Sequence, residues 1–196
     1  MSDTQRFSIP VLSGTVAGLG VWILGYLVTA LLASEETRGD PTVALFRMVT
    51  DDPGDWQLAG LLYYNAHSVD ITFPDVALAP ERYNYVAGAE GLLTVLFFLP
   101  PVVLVIAGGL VTARSRDDLR RLTDGLVSGA TVTVGYLALT VLGLLLFAIE
   151  AGDGTVRPDP LVAVFVAGIL YPAVFGSLGG ILTWLLTRGS SAESSS

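Results

Sequence analysis

The sequence predicts an all-α fold: a four-helix transmembrane bundle with a partly helical insertion between the first and second helices. Four stretches, residues 9–33, 85–113, 126–149 and 161–186, are apolar over a length that crosses a bilayer. Crossing a hydrocarbon core of about 30 Å takes roughly 20 such residues. Within the four, Glu90 is the sole charged side chain. The whole chain is 52% hydrophobic and only 14% charged, where a soluble domain carries about 25% charged residues. Its mean hydropathy is +0.66.

Residues 1–8 hold Arg6 and precede the first span. That span is too long for the apolar part of a signal peptide and lacks a small-x-small cleavage site, so it is expected to stay in the protein. Residues 34–84 form the insertion, with nine acids against Arg38, Arg47 and Arg82. Asp40-Pro41 and Asp52-Pro53 each read as a helix cap followed by proline at the first helical position. They predict two short helices, over residues 41–49 and 53–66, and Pro80 plays the same part before the second span. The second short helix sets Leu58, Leu61, Leu62, Ala66 and Val69 at helical spacing, beside Trp56, Tyr63 and Tyr64. Such a stripe suits a helix lying at the membrane interface or capping the bundle, or else a core helix of a small folded ectodomain. Both readings stay open at this point.

The connection at residues 114–125 is rich in arginine, with Arg114, Arg116, Arg120 and Arg121. The connection at 150–160 holds only Arg157 and ends in Asp159-Pro160, another helix start. Arginine in short loops marks the cytoplasmic side. Both termini are therefore expected in the cytoplasm, with the acidic insertion outside. Residues 187–196 are Ser-rich and are expected to form a disordered tail.

The spans also look related in pairs. A shift of 115 positions lays Ser13-Gly14, Gly20 and Leu24 on Ser128-Gly129, Gly135 and Leu139. A shift of 71 lays Pro101, Gly108-Gly109 and Thr112 on Pro172, Gly179-Gly180 and Thr183. The expectation is a tandem repeat of two parallel helical hairpins, with most of the insertion added to the first.

Charge and composition narrow the function. The net charge is −8, all ten basic residues are Arg, and there is no Lys. Carboxylates hold water and cations where salt screens their mutual repulsion, which points to a halophilic archaeon. Nucleic acid is not an expected partner for so acidic a chain. With no Cys and one His, no thiolate or histidine metal site is expected. No catalytic constellation, metal-binding set or cofactor motif stands out, so the reading is of a non-enzyme.

Six residues are candidates for function. Glu90 is a carboxylate inside a span, which is a candidate by default. Pro101, after Pro100, and Pro172 fall near mid-membrane and are expected to kink their helices. Matched broken helices can frame a transport site. Tyr64, Asn65 and His67 belong to the polar end of the insertion's second helix. Gly14 and Gly18, Gly125 and Gly129, and Gly176 and Gly180 have the spacing of close helix packing, inside the bundle or at a dimer face.

The run from Trp56 to Asp70, with its Tyr64-Asn65-Ala66-His67 core, resembles a haloarchaeal family of small four-span membrane proteins. Some members are loosely labelled transporters. An aromatic residue commonly follows the His in that family, where this chain has Ser68. The resemblance implies a membrane protein of a halophile and supplies no catalytic or binding residues. Two functions follow from the sequence. The first is a structural or accessory subunit, partnered with another membrane protein or with itself through the insertion or the Gly-rich faces. The alternative is a small-solute or ion carrier, or a channel, acting as an oligomer in the bilayer.

Overall fold

The computed structural model describes residues 8–50, 53–74, 81–89 and 91–193. Its α-helices are α1 (Val11–Glu36), α2 (Pro41–Val49), α3 (Asp55–Asn65), α4 (Tyr85–Gly88), α5 (Leu99–Arg114), α6 (Leu122–Ala130), α7 (Val132–Leu146), α8 (Pro160–Val162) and α9 (Tyr171–Glu193). Four helices are long and apolar enough to cross a membrane: Val11–Glu35, Leu93–Arg114, Leu122–Leu146 and Pro160–Arg188. Large apolar side chains on them face outward, among them Leu12 (80% exposed), Leu31 (71%) and Leu145 (75%). Before the second of these, Tyr85–Gly88 is a separate short helix, capped by Asn84, whose Oδ1 accepts from Ala87 N at 2.9 Å. Helix α9 continues to Glu193, into the Ser-rich segment expected to be disordered.

The prolines stand where the spans change helical type. Pro100, Pro101 and Pro172 stand in the first turns of α5 and α9. There a missing N–H is harmless. The turn before each proline cannot be regular α-helix, since the ring displaces the carbonyl four residues back and offers it no donor. Accordingly Gly91–Phe97 is a 3-10 helix and Ala163–Leu170 a π-helix. The shift of 71 brings these two irregular segments into register.

The chain divides into two compact units. One holds Met1–Val21, Pro101–Tyr136 and Tyr171–Ser196. It is built on backbone-to-backbone contacts between small residues, which are what let helices pack without a hydrophobic drive. A Cβ at Gly108 would stand 2.1 Å from the Gly176 carbonyl oxygen, and one at Gly179 would stand 2.0 Å from that of Val105. The shift of 71 exchanges these two contacts. It likewise exchanges Gly109 against Thr183 Oγ1 (3.1 Å) with Gly180 against Thr112 Oγ1 (2.9 Å). The α5–α9 contact is therefore two-fold symmetric in these pairs. The α1–α7 contact is not. Gly135 meets the Thr15 carbonyl at 2.0 Å, while Gly20, its match under the shift of 115, has nothing within 4 Å. Gly14 and Gly18 face Thr131 and Val132, and Gly125 and Gly129 face Gly180 and Gly176. All six glycines of the paired motifs thus pack within the chain.

The other unit holds Trp22–Pro100 and Leu137–Leu170, and it corrects the all-α expectation. A four-stranded antiparallel sheet runs in the order β2-β1-β4-β3. Its strands are β1 (Ile71–Thr72), β2 (Arg82–Tyr83), β3 (Ile149–Ala151) and β4 (Gly154–Pro158). The connection at 150–160 is thus a hairpin, turned at Gly152 with φ +57, which a residue lacking Cβ adopts without cost. Strand β1 pairs with β4 through Ile71–Pro158 and Thr72–Arg157. This pairing fastens the insertion to the second short connection.

Candidate functional site

The site grows from the end of α1. Thr37 N donates to the Ala33 carbonyl at 2.9 Å and Asp40 N to the Thr37 carbonyl at 3.2 Å. Gly39, at φ +82, then reverses the chain in the left-handed manner that ends many helices. Helix α2 starts at once on Pro41. Asp40 Oδ1 accepts from Val43 N at 3.3 Å, while Asp40 Oδ2 accepts from Tyr85 Oη at 2.7 Å. Phe46 packs edge-on to Phe73, with ring centroids 5.8 Å apart. Arg47 reaches Asp55 at 2.5 Å and the Pro53 carbonyl at 3.2 Å, joining α2 to the start of α3. On the other side of α2, Leu45 is 50% exposed and Met48 81% exposed.

Helix α3 opens with Gly54 N donating to Gln57 Oε1 at 3.1 Å. The expected cap Asp52 lies outside the described residues. From Ala59 to Asn65 every residue of α3 is buried. The stripe is therefore enclosed within its unit, where α2, α3 and α4 make up a folded insertion, the cap. Trp22, Tyr26 and Phe147 stack around it. Trp22 and Phe147 are nearly coplanar in orientation, with centroids 6.2 Å apart. Tyr26 lies 5.3 Å from Phe147, and Tyr63 meets Trp22 edge-on at 5.3 Å. Aromatic pairs of this kind contribute about 0.5–1.5 kcal/mol each beyond area burial. Below α3, Leu62 and Ala66 pack with Ala33, Val86, Leu93 and Leu96.

The polar residues of the Tyr-Asn-Ala-His core serve this packing. Tyr64 Oη donates to the Thr140 carbonyl of α7. Burial pushes the Tyr64 phenol well above the ordinary tyrosine range. Asn65 Oδ1 accepts from Tyr85 N at 2.9 Å, and Asn65 Nδ2 donates to the Val69 carbonyl at 2.8 Å. His67 Nδ1 lies 2.7 Å from the Tyr63 carbonyl, a contact that fits the Nδ1–H tautomer as donor. Burial lowers the His67 pKa to about 4, against a smaller opposing effect of that bond, so the ring is neutral at pH 7. Ser68 follows at φ 59, a left-handed conformation uncommon for a residue with a Cβ. These side chains hold the end of α3 to α4 and α7.

The six sequence candidates thus separate. Tyr64, Asn65 and His67 come together in the cap. Pro101 and Pro172 start α5 and α9, away from the cap in sequence. Glu90 lies outside the described residues. Among the described residues no group of three His, Cys, Asp or Glu could hold a metal ion. Asp159 acts as a cap, accepting from Leu161 N and Val162 N at 3.0 and 3.1 Å. It also pairs with Arg82 at 3.1 Å.

What sequence reasoning missed is an open cleft of about 570 Å³ walled by α1, α2 and α3. Tyr26, Leu27, Ala30, Leu58 and Leu62 give it an apolar floor, and Arg38, Arg47 and Asp55 lie at its polar side. Its size falls in the roughly 300–1,000 Å³ range of small-molecule sites. Only the spacing of Trp22 and Tyr26, four residues apart on one helix face, hinted at an aromatic wall.

The chain matches the family of unknown function DUF7978 over residues 1–187. It therefore belongs to that family. No curated protein and no solved structure matches it.

Proposed function

We propose that this member of DUF7978 is a multi-pass protein of the cell membrane, with both termini in the cytoplasm and the cap outside. In this reading it works as a non-enzymatic accessory subunit that engages a partner through the cap. The carrying observation is the use made of polar side chains. Tyr64, Asn65 and Asp159 each bond main-chain groups that fasten the cap, and neutral His67 lies against a carbonyl. Such groups build a rigid platform, and the exposed face of α2 and the cleft beside it are left as the surfaces for binding. The outward leucines of the four long helices support a lipid surround, because exposed apolar surface of that extent is costly in water. The acidic, Lys-free composition supports a halophilic archaeal origin.

Two measurements test this reading. The chain has no cysteine, so Asp153→Cys and Ser190→Cys can be probed singly with a membrane-impermeant thiol reagent. The expected result is labelling of the first in intact cells and of the second only after lysis; the reverse pattern overturns the orientation. A photo-crosslinking residue at Met48 should yield a discrete adduct with another protein in native membranes. Recovery of a lone monomer from a range of mild detergents sinks the accessory role.

The second reading is a solute carrier acting as an oligomer. One observation favours it: the non-α segments Gly91–Phe97 and Ala163–Leu170 match under the 71-residue shift. Duplicated broken helices are the usual frame of carrier sites. Flux through the purified protein in liposomes, abolished when Pro172 is replaced by Ala, supports that reading. No flux across an ion and solute panel removes it.

A further inference from the structure

We propose that the cleft between α1, α2 and α3 is a lipid site. It takes one anionic phospholipid from the outer leaflet, with a hydrocarbon chain in the cleft and the phosphate against Arg38. The inference rests on the membrane reading above and not on the accessory role.

Three features of the cleft select this occupant. Its floor is apolar and continuous with the outward surface of α1, since Leu27 lines the cleft and Leu24, Leu27 and Leu31 are all exposed. From Leu27 to Glu36 the helix rises about 13 Å, so the cleft shelters the upper part of a chain whose remainder runs on along the span. The cleft's charges are also sorted. Arg47 is taken up by Asp55, and Asp40 by Tyr85 and the start of α2. Arg38 is exposed and has no hydrogen bond or ion pair among the described residues, which leaves its guanidinium donors open to a ligand at the mouth. A guanidinium binds phosphate by paired charge-assisted hydrogen bonds.

The third feature is α2 itself. It begins at Pro41, five residues beyond the end of α1, and so lies at the level where the span leaves the hydrocarbon. Ala44, Leu45 and Met48 are exposed on it at the spacing of one helix face. Trp56, half exposed, lines the same cleft. An exposed apolar stripe with a Trp beside it is the pattern of an element seated in the headgroup region. A water-soluble anion would leave the apolar floor uncovered, whereas the chain of a phospholipid covers it.

The test uses the full chain, purified in mild detergent and examined by native mass spectrometry. The probes are phosphatidylglycerol and phosphatidylcholine carrying the same brominated chains. Bromine also quenches Trp56 fluorescence when a chain enters the cleft. The expected result is retention of one phosphatidylglycerol per chain, with at least fivefold weaker retention of phosphatidylcholine. Arg38→Gln, a surface change, should weaken phosphatidylglycerol binding roughly five- to tenfold, corresponding to about 1 to 1.4 kcal/mol. Ala30→Trp, which fills the floor, should remove both binding and quenching.

Equal retention by wild type and both variants overturns the proposal, as does equal binding of the two lipids. Displacement of the bound lipid by inorganic phosphate overturns the chain-in-cleft geometry. A protein or peptide adduct that vanishes with Ala30→Trp assigns the cleft to a different occupant. Membrane fractionation of the same preparation checks the underlying premise. A chain that sediments with membranes yet binds no lipid refutes this inference alone.

Discussion

Replacing Gly179 by alanine probes one of the close backbone-to-backbone helix contacts among the described residues. The new Cβ would stand 2.0 Å from the Val105 carbonyl oxygen, where ordinary contact begins at 3.4 Å. The obstacle is backbone on both sides, so no side-chain rotation relieves it and α5 and α9 must part by about 1.4 Å. A gap of 0.5–1 Å already forfeits a quarter to a half of each dispersion contact, and overpacking of this kind costs about 1–3 kcal/mol. Alanine returns about 1 kcal/mol of helix propensity, leaving a net loss of about 0–2 kcal/mol. Gly108→Ala should lose the same amount, because its clash with the Gly176 carbonyl at 2.1 Å is the symmetry mate of the first. Gly20→Ala is the control. With nothing within 4 Å it keeps the propensity gain of up to about 1 kcal/mol. Thermal unfolding in detergent should therefore separate Gly20→Ala from Gly179→Ala by about 2–12 °C, taking about 2–4 °C per kcal/mol for a chain of this size. Coincident melting curves for the two variants would refute close backbone packing between α5 and α9.

Four further outcomes are expected. Tyr64→Phe removes the donor to the Thr140 carbonyl and should cost about 1–2 kcal/mol, read as a lower melting temperature with unchanged helix content. His67 is held at a pKa of about 4, below its unfolded value of about 6.5. The unfolded chain therefore binds the extra proton, and stability present above pH 6.5 is lost as the pH falls towards 4. From pH 7 to pH 5 the loss is on the order of 2 kcal/mol, and His67→Gln should flatten that slope in melts taken across the interval. Asp159→Asn keeps an acceptor for the start of α8 while losing the exposed Arg82 ion pair, so it should cost under about 1 kcal/mol. Asp159→Ala loses both and should cost more, by the same melting assay.

The spans were legible because their cause is local. A run of twenty apolar residues cannot be solvated by water whatever its neighbours are, and Val11–Glu35 or Leu122–Leu146 needs no tertiary partner to be recognised. The starts of α2 and α8 were legible for the same reason, since Asp40-Pro41 and Asp159-Pro160 carry cap and first residue within one dipeptide. The residues of the 71-position offset recur in the α5–α9 contact, where Gly108 and Gly179 meet the carbonyls of Gly176 and Val105.

The sheet was not legible. Its strands are two to five residues long, and β1 finds β4 across more than eighty positions of sequence. No local preference encodes such a pairing. The role of Tyr64, Asn65 and His67 was equally hidden, since a polar side chain reads as available until its partners are known. By itself the sequence determined which segments are too apolar for water and where helices begin. Only the tertiary structure decided which apolar faces meet each other: α3 is enclosed, while α2 keeps Leu45 and Met48 outside. The physical reason is that hydrophobic pattern fixes which face of a helix avoids water, while burial against protein or exposure to lipid depends on neighbours distant in the chain.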